Sequence, residues 1–384
     1  MSIYLSKEEV LSRLKDEQYY NKNLEYLLKV TYKNTLVYLD KLVSNEYLVD
    51  YSKDDCVNPI IWQFGHIIDF YIKNAINWIE YRKNTKFKML HSYMVFIEKR
   101  INTGFHLYYD SIIPKRLKLR YNTKYIISIR TLKVLYESIF KILLNYINKN
   151  KIDIVDNYLI FLCILHNEMH MENFIFICYY LNLDMSSILR RRFISMIDYR
   201  IKNEIIKIEG GVYMQGNIKN KHNFTFDNEC PMFLKTVKDF AVSKYPVTEY
   251  EYLEFVQLGG YKNDKYWELE NLEWRNSNNV TMPFYWFYEN GNYYKKHWDE
   301  IVLVGSNIPM CNISWYEAKA VAKWLGGRLP TETEWEYVAT NNGTTKLPWG
   351  NIMNKKNANF NYSGELANVN EITESKTIHG INQM

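Results

Sequence analysis

Cysteine, proline and glycine are all scarce in this chain of 384 residues, which has 5 Cys, 8 Pro and 15 Gly. The cysteines (Cys56, Cys163, Cys178, Cys230 and Cys311) are scattered and form no CxxC pair. That argues against a disulfide-stapled scaffold and for reduced thiols in a cytoplasmic setting. No run of about 18 apolar residues occurs, so no membrane-spanning helix is expected. The opening "MSIYLSKEEV" has no basic leader followed by an apolar core, so no signal peptide is expected either. A strong excess of one charge is also missing: 48 Lys and Arg against 43 Asp and Glu leave a net charge of +5. The densest basic run, Arg190-Arg191-Arg192, follows a helical pattern and reads as a solvated helix end. Nucleic acid is therefore not expected as a partner.

What remains is an ordinary globular composition, 47% hydrophobic and 24% charged, in a chain long enough for two domains. The two halves differ in texture. Up to residue 202 glycine is almost absent, and apolar residues recur at three- and four-residue spacing. Helices are predicted through a first segment capped by Ser6 and Glu9, then through "LEYLLKVTYKNTLVYLDKLV", "WQFGHIIDFYIKNAINWIEYR", "TLKVLYESIFKILLNYI" and "DNYLIFLCILHNEMHMENFIFICYYL". From 203 to 384, Gly and Asn turns such as "GGVYMQGN" and "NGNYY" separate short β-type runs such as "FLKTVKDFAV". Two short helices are signposted there, by Ser314 with Glu317 and by Thr331 with Glu334. Gly326 is placed to end the first of them in a left-handed conformation. The expected architecture is a helical bundle over 1–202 followed by a loop-rich α+β domain over 203–384.

The stretch "FLCILHNEMHMENF" carries the chemistry. His166 and His170 stand four apart, so their rings leave one helix face within reach of a single ion. The pattern is not HExxH, because Asn167 follows the first histidine, and Glu168 points off that face. His66, within an apolar helical run, is the natural third ligand. His91 and His106 fall in a polar connecting region, and His222, His297 and His379 lie in the second half. Spacing alone leaves two readings open: metal ligands, or core histidines satisfied by backbone carbonyls or by Glu172.

The pairing of "GHIIDF" with "HNEMHME" resembles the three-histidine iron site, HxxxHxE, of ergothioneine- and ovothiol-type sulfoxide synthases, which is carried by a DinB-like helical domain. His66, His166 and His170 match the ligands, and Glu172 matches the acidic position. The second half is similar to the formylglycine-generating-enzyme (sulfatase-modifying factor) fold, a relative of C-type lectins. The matching stretches are "FDNECP", "FAVSKYPVTEYEYLEFVQLGGY", "NISWYEAKAVAKWLGGRLPTETEWEYVA" and "PWGN".

The resemblance implies an Fe(II)- and O₂-dependent enzyme joining a cysteine-type thiol to a histidine-type imidazole as a sulfoxide. Zn(II) or Ni(II) also suits three imidazoles. It further implies an arginine grip on a substrate carboxylate, for which Arg116 and Arg120 of "PKRLKLR" are the candidates. Met169 stands where the ergothioneine branch has a Gln that contacts the histidine-derived substrate, and so leans towards the ovothiol branch. "IHGINQM" resembles the approach to the family's "GNVWEW" segment, and the sequence ends at Met384. The expectation is a domain short of its closing strands, whose activity is in question: either a degenerate or fragmentary product, or one whose missing segment a partner supplies. Two other readings stand beside the synthase. One is a non-catalytic lectin-like binding or scaffold protein with vestigial histidines. The other is formylglycine generation, which needs a cysteine pair in the closing part of the fold, where Cys230 and Cys311 do not lie.

Overall fold

Periodic apolar spacing in the first half folds into long helices. The computed structural model describes residues 19–43, 58–98, 109, 127–186, 199–218, 224–354, 356–359 and 366–384. Among these the chain divides into two compact units, one up to Leu181 and the other from Asn182. The Ser6–Glu9 cap, Cys56, His106, Arg116, Arg120, Arg190–Arg192 and His222 lie outside the described residues.

The first unit holds α1 (Tyr19–Val43), α2 (Ile60–Tyr71), α3 (Asn77–Lys83), α4 (Lys88–Glu98), α5 (Ile129–Lys149) and α6 (Ile154–Tyr180). A π-helical turn, Ile72–Ile76, joins α2 to α3 without a break. α6 packs on both α1 and α2, and α5 packs on α1, α2 and α4. The core between them is built from Leu24, Leu39, Trp62, Phe64, Tyr71, Ile139 and Phe174. A polar knot sits inside it. The Tyr136 hydroxyl donates to Asn167 Oδ1 (2.6 Å), and Asn167 Nδ2 donates to Thr35 Oγ1 (2.9 Å). Burying these groups unpaired would be destabilising, so the knot fixes how α1, α5 and α6 turn towards one another. α4 differs from the sequence reading, since His91 lies on a helix rather than in a connection. The Glu80 carboxylate accepts the Phe87 N–H (2.5 Å) and faces His91 Nε2 (3.1 Å), anchoring the short loop that starts this helix.

Among its described residues the second unit carries three small antiparallel sheets. β1 (Ile205–Ile208) pairs with β4 (Phe240–Ser243), and β2 (Gly211–Gln215) pairs with β3 (Phe233–Val237). The third sheet runs β5 (Trp286–Glu289), β6 (Asn292–His297) and β7 (Glu300–Leu303). Asn290 and Gly291, with φ of 49° and 84°, make the two-residue turn between β5 and β6.

Among the described residues four α-helices accompany the sheets: α7 (Glu249–Gln257), α8 (Leu269–Ser277), α9 (Trp315–Trp324) and α10 (Glu332–Ala339). The Ser314–Glu317 and Thr331–Glu334 capping boxes open α9 and α10, and Gly326 adopts φ 82° after α9. Sequence reading found only those two helices. α7 begins with the same kind of box, Thr248 with Glu251, so its signal was present in "TEYE". Ile208, Tyr213, Val237, Tyr337, Val338 and Ile381 form a core cluster of this unit.

Candidate metal centre

α2 starts after Pro59, whose carbonyl accepts the Gln63 N–H (2.9 Å). Every α2 residue except Phe70 is buried, so His66 enters the core with its helix. Gly65 makes room beside it: a Cβ there would lie 2.0 Å from the Tyr109 ring. That close approach sets the Tyr109 carbonyl 2.7 Å from His66 Nδ1. A carbonyl can only accept, so Nδ1 carries the proton and the lone pair resides on Nε2. Trp62, one turn back, stacks parallel to the His66 ring at 5.2 Å.

α6 opens with Asp153, whose carboxylate accepts the Val155 and Asp156 N–H groups, both at 3.0 Å. Arg82, near the end of α3, grips the Asp153 carboxylate through two bonds of 2.9 Å and reaches buried Asp156 at 2.7 Å. This clamp ties the first turn of α6 to the α2–α3 rod. Further along, neighbouring side chains of α6 diverge. Asn167 enters the polar knot, and Glu168 accepts from the Thr31 hydroxyl on α1. His166 and His170 turn towards α2.

The Phe70 ring stacks on His166 at 3.7 Å, nearly parallel. His170 Nδ1 lies 3.2 Å from Gln63 Oε1, and Asn173 Nδ2 donates to the same oxygen at 2.9 Å. The three histidines therefore converge, with ring centroids of His66 5.1 Å from His166 and 5.2 Å from His170. One ligand atom from each lies within 4.8 Å of the other two.

The electrostatics suit a cation. Burial, then the neighbouring His170 and His66 rings, pushes His166 from 6.5 down to about 2. Burial and His66 push His170 down to about 3. Both rings are neutral at physiological pH and keep a lone pair for a ligand. His166 Nδ1 is buried and has no hydrogen-bond partner among the described residues. An unmet imidazole nitrogen beside two other imidazole rings is what a divalent ion would satisfy, so the residues present fit one.

Other residues singled out from the sequence lie apart. Met169 is 49% exposed on α6, and Glu172 is also exposed. His91 faces Glu80, and His379 Nε2 lies 3.0 Å from Asn342 Oδ1 in the second unit. Sequence reading missed Gln63, Phe70, Tyr109 and Asn173. Gln63 and Phe70 stand three before and four after His66, a helical spacing that could have found them. Tyr109, 43 residues away, left no such signal.

Residues 198–379 match the family described as "Sulfatase-modifying factor enzyme 1-like domain". A hercynine oxygenase of Mycobacterium tuberculosis is 31% identical over 130 residues, covering 33% of this chain and 30% of that protein. The serine/threonine-protein kinase pkn1 of Chlamydia pneumoniae is 30% identical over 162 residues, 42% of this chain and 23% of the kinase. The inactive C-alpha-formylglycine-generating enzyme 2 of Mus musculus is 28% identical over 171 residues, 41% of this chain and 54% of that protein. The chain spans about a third of the length of the hercynine oxygenases it matches.

Proposed function

We propose that this protein is a sulfoxide-synthase-like oxygenase. In this reading a DinB-like helical domain, 1–202, holds Fe(II) through His66, His166 and His170, and the domain over 203–384 has the lectin-related sulfatase-modifying fold. The observation that carries the reading is the convergence of three imidazoles from α2 and α6, with His66 buried and His166 and His170 held neutral. A match to the sulfatase-modifying domain alone does not choose an activity, because relatives sharing similarity include an oxygenase, a kinase and an inactive enzyme. The triad and the hercynine oxygenases together point to oxidative chemistry on a histidine derivative.

Iron bound here would supply open coordination positions for O₂ and a thiol and the redox capacity for C–S bond formation. The chain's own part is to hold and to exclude. Three neutral donors leave the negative charge to be brought by a thiolate substrate. Phe70 and Trp62 pack flat against two of the ligand rings and keep water from their faces. Met169, exposed on the same helix, is the residue proposed to contact the imidazole substrate. Arg116 and Arg120 are proposed to grip the carboxylate of the thiol.

The test is metal content of anaerobically purified protein, followed by oxygen uptake. Cysteine or γ-glutamylcysteine would be offered with histidine or its trimethylated form. The expected result is about one iron per chain and thiol-dependent uptake, both lost in His170→Ala. Zinc or nickel in place of iron, without uptake, would replace the oxygenase reading by a thiol-transfer type of site. Absence of any bound metal would sink the centre and leave a lectin-like binding protein with vestigial histidines.

A further inference from the structure

We infer that Gln63 is a positioning residue that fixes the proton of His170 on Nδ1, so that Nε2 is the atom offered to the ion. The inference rests on the reading of the triad as a metal centre and adds a residue that the ligand pattern does not contain.

The chain of hydrogen bonds starts at a backbone carbonyl. Gln63 is fully buried, and its Nε2 lies 2.9 Å from the carbonyl oxygen of Asn58. A carbonyl oxygen cannot donate, so the amide group facing it must be the NH₂. That leaves Oε1 pointing the other way, towards α6. Asn173 Nδ2 donates to it at 2.9 Å, which agrees with this orientation. The remaining neighbour of Oε1 is His170 Nδ1 at 3.2 Å. An amide oxygen only accepts, so the imidazole must place its proton on Nδ1 and its lone pair on Nε2.

His66 is oriented by the same logic through the Tyr109 carbonyl at 2.7 Å. Two of the three rings thus have their tautomers set by acceptors that cannot change role. The two acceptors differ in kind: the one on His66 is backbone, whereas the one on His170 is a side chain that substitution can alter. Gln63 also sits one turn before His66 on α2, so a single helix supplies one ligand and the acceptor that positions another. Ligand-orienting acceptors of this type usually influence metal affinity by one or two orders of magnitude.

The test uses the full chain, freed of metal and titrated anaerobically with Co(II), read by its visible absorption bands. Gln63→Leu should bind Co(II) about 10- to 100-fold more weakly than the unaltered protein while keeping its far-UV circular dichroism. Gln63→Glu offers His170 a carboxylate acceptor, makes the ligand more basic, and should shift the bands at saturation. A tie that merely holds α2 to α6 would lower the melting temperature of Gln63→Leu and leave Co(II) affinity and the Gln63→Glu spectrum unchanged. That result would overturn the positioning role with the metal centre still standing. Absence of Co(II) bands in the unaltered protein would instead remove the metal-centre reading, and the role of Gln63 with it. If Gln63→Leu does not fold, the near-isosteric Gln63→Glu decides alone, and coincident spectra overturn the inference.

Discussion

At the scale of single residues, His166 and His170 make the first unit sensitive to acid. His166 and His170 are held at about 2 and about 3 in the folded state, against 6.5 ordinarily. The unfolded chain therefore binds more protons than the folded one below about pH 6.5. The stability these groups provide is complete above that value and is lost progressively as pH falls towards the folded values. Metal-free protein should melt at steadily lower temperature between about pH 6.5 and 4.5. His166→Ala should flatten that slope, and a melting series against pH checks it. Gly65 offers a second test at this scale. Adding a Cβ in Gly65→Ala would strike the Tyr109 ring, so the ring and the carbonyl that orients His66 must shift. The expected loss is about 1–3 kcal/mol in urea unfolding, together with weaker metal binding.

Elements carry a different set of consequences. The clamp between α3 and α6 joins Arg82 to Asp153 and to buried Asp156, with the Tyr146 hydroxyl donating to Asp156 at 2.6 Å. Tyr146→Phe leaves one oxygen of a buried carboxylate short of a donor and should destabilise the first unit by about 1.5–3 kcal/mol. Asp153 is held below its usual range, first by the Arg82 guanidinium. Its contribution is present above about pH 4 and is lost as pH falls further, and salt should weaken it. The acid loss from Asp153 thus begins where much of the histidine effect has already occurred.

In the second unit α9 closes with Gly326 in the left-handed region and two bonds back into the last turn, Gly326 N–H to Lys323 and Gly327 N–H to Ala322. α7, α8 and α10 close the same way, through Gly259, Asn279 and Asn341. Gly326→Ala meets no steric neighbour, so its expected cost of about 1–2 kcal/mol is that of the backbone conformation alone. Chemical denaturation of this single variant would show it.

For the whole molecule, the candidate metal centre lies entirely within the first compact unit, while the residues matched to the domain family lie entirely in the second. Binding to the folded state alone stabilises it by mass action. An ion at a hundredfold excess over its dissociation constant should add about 2.7 kcal/mol. The rise in melting temperature should appear in helical circular dichroism at 222 nm, be reversed by a chelator, and be absent in His66→Ala. A rise that persists in His66→Ala would place the bound ion elsewhere.

Local pattern alone determined a good part of this protein. The long helices were legible because a 3.6-residue period repeats over many turns. The α9 and α10 boxes and the Gly326 stop were legible because caps span only three or four residues. The spacing of His166 and His170 put both rings on one face for the same reason. α4, α7 and α8 escaped, being short helices whose periodicity covers two or three turns, although α7 carried its own cap. What only the tertiary structure decided is what gathers around that face. Whether His66 joins it depends on α2 packing against α6. The proton positions on His66 and His170 depend on Tyr109 and Gln63, which lie 43 and 107 residues from the rings they orient. Contacts of such separation leave no period in the sequence, because they arise from the packing of helices rather than from any one of them.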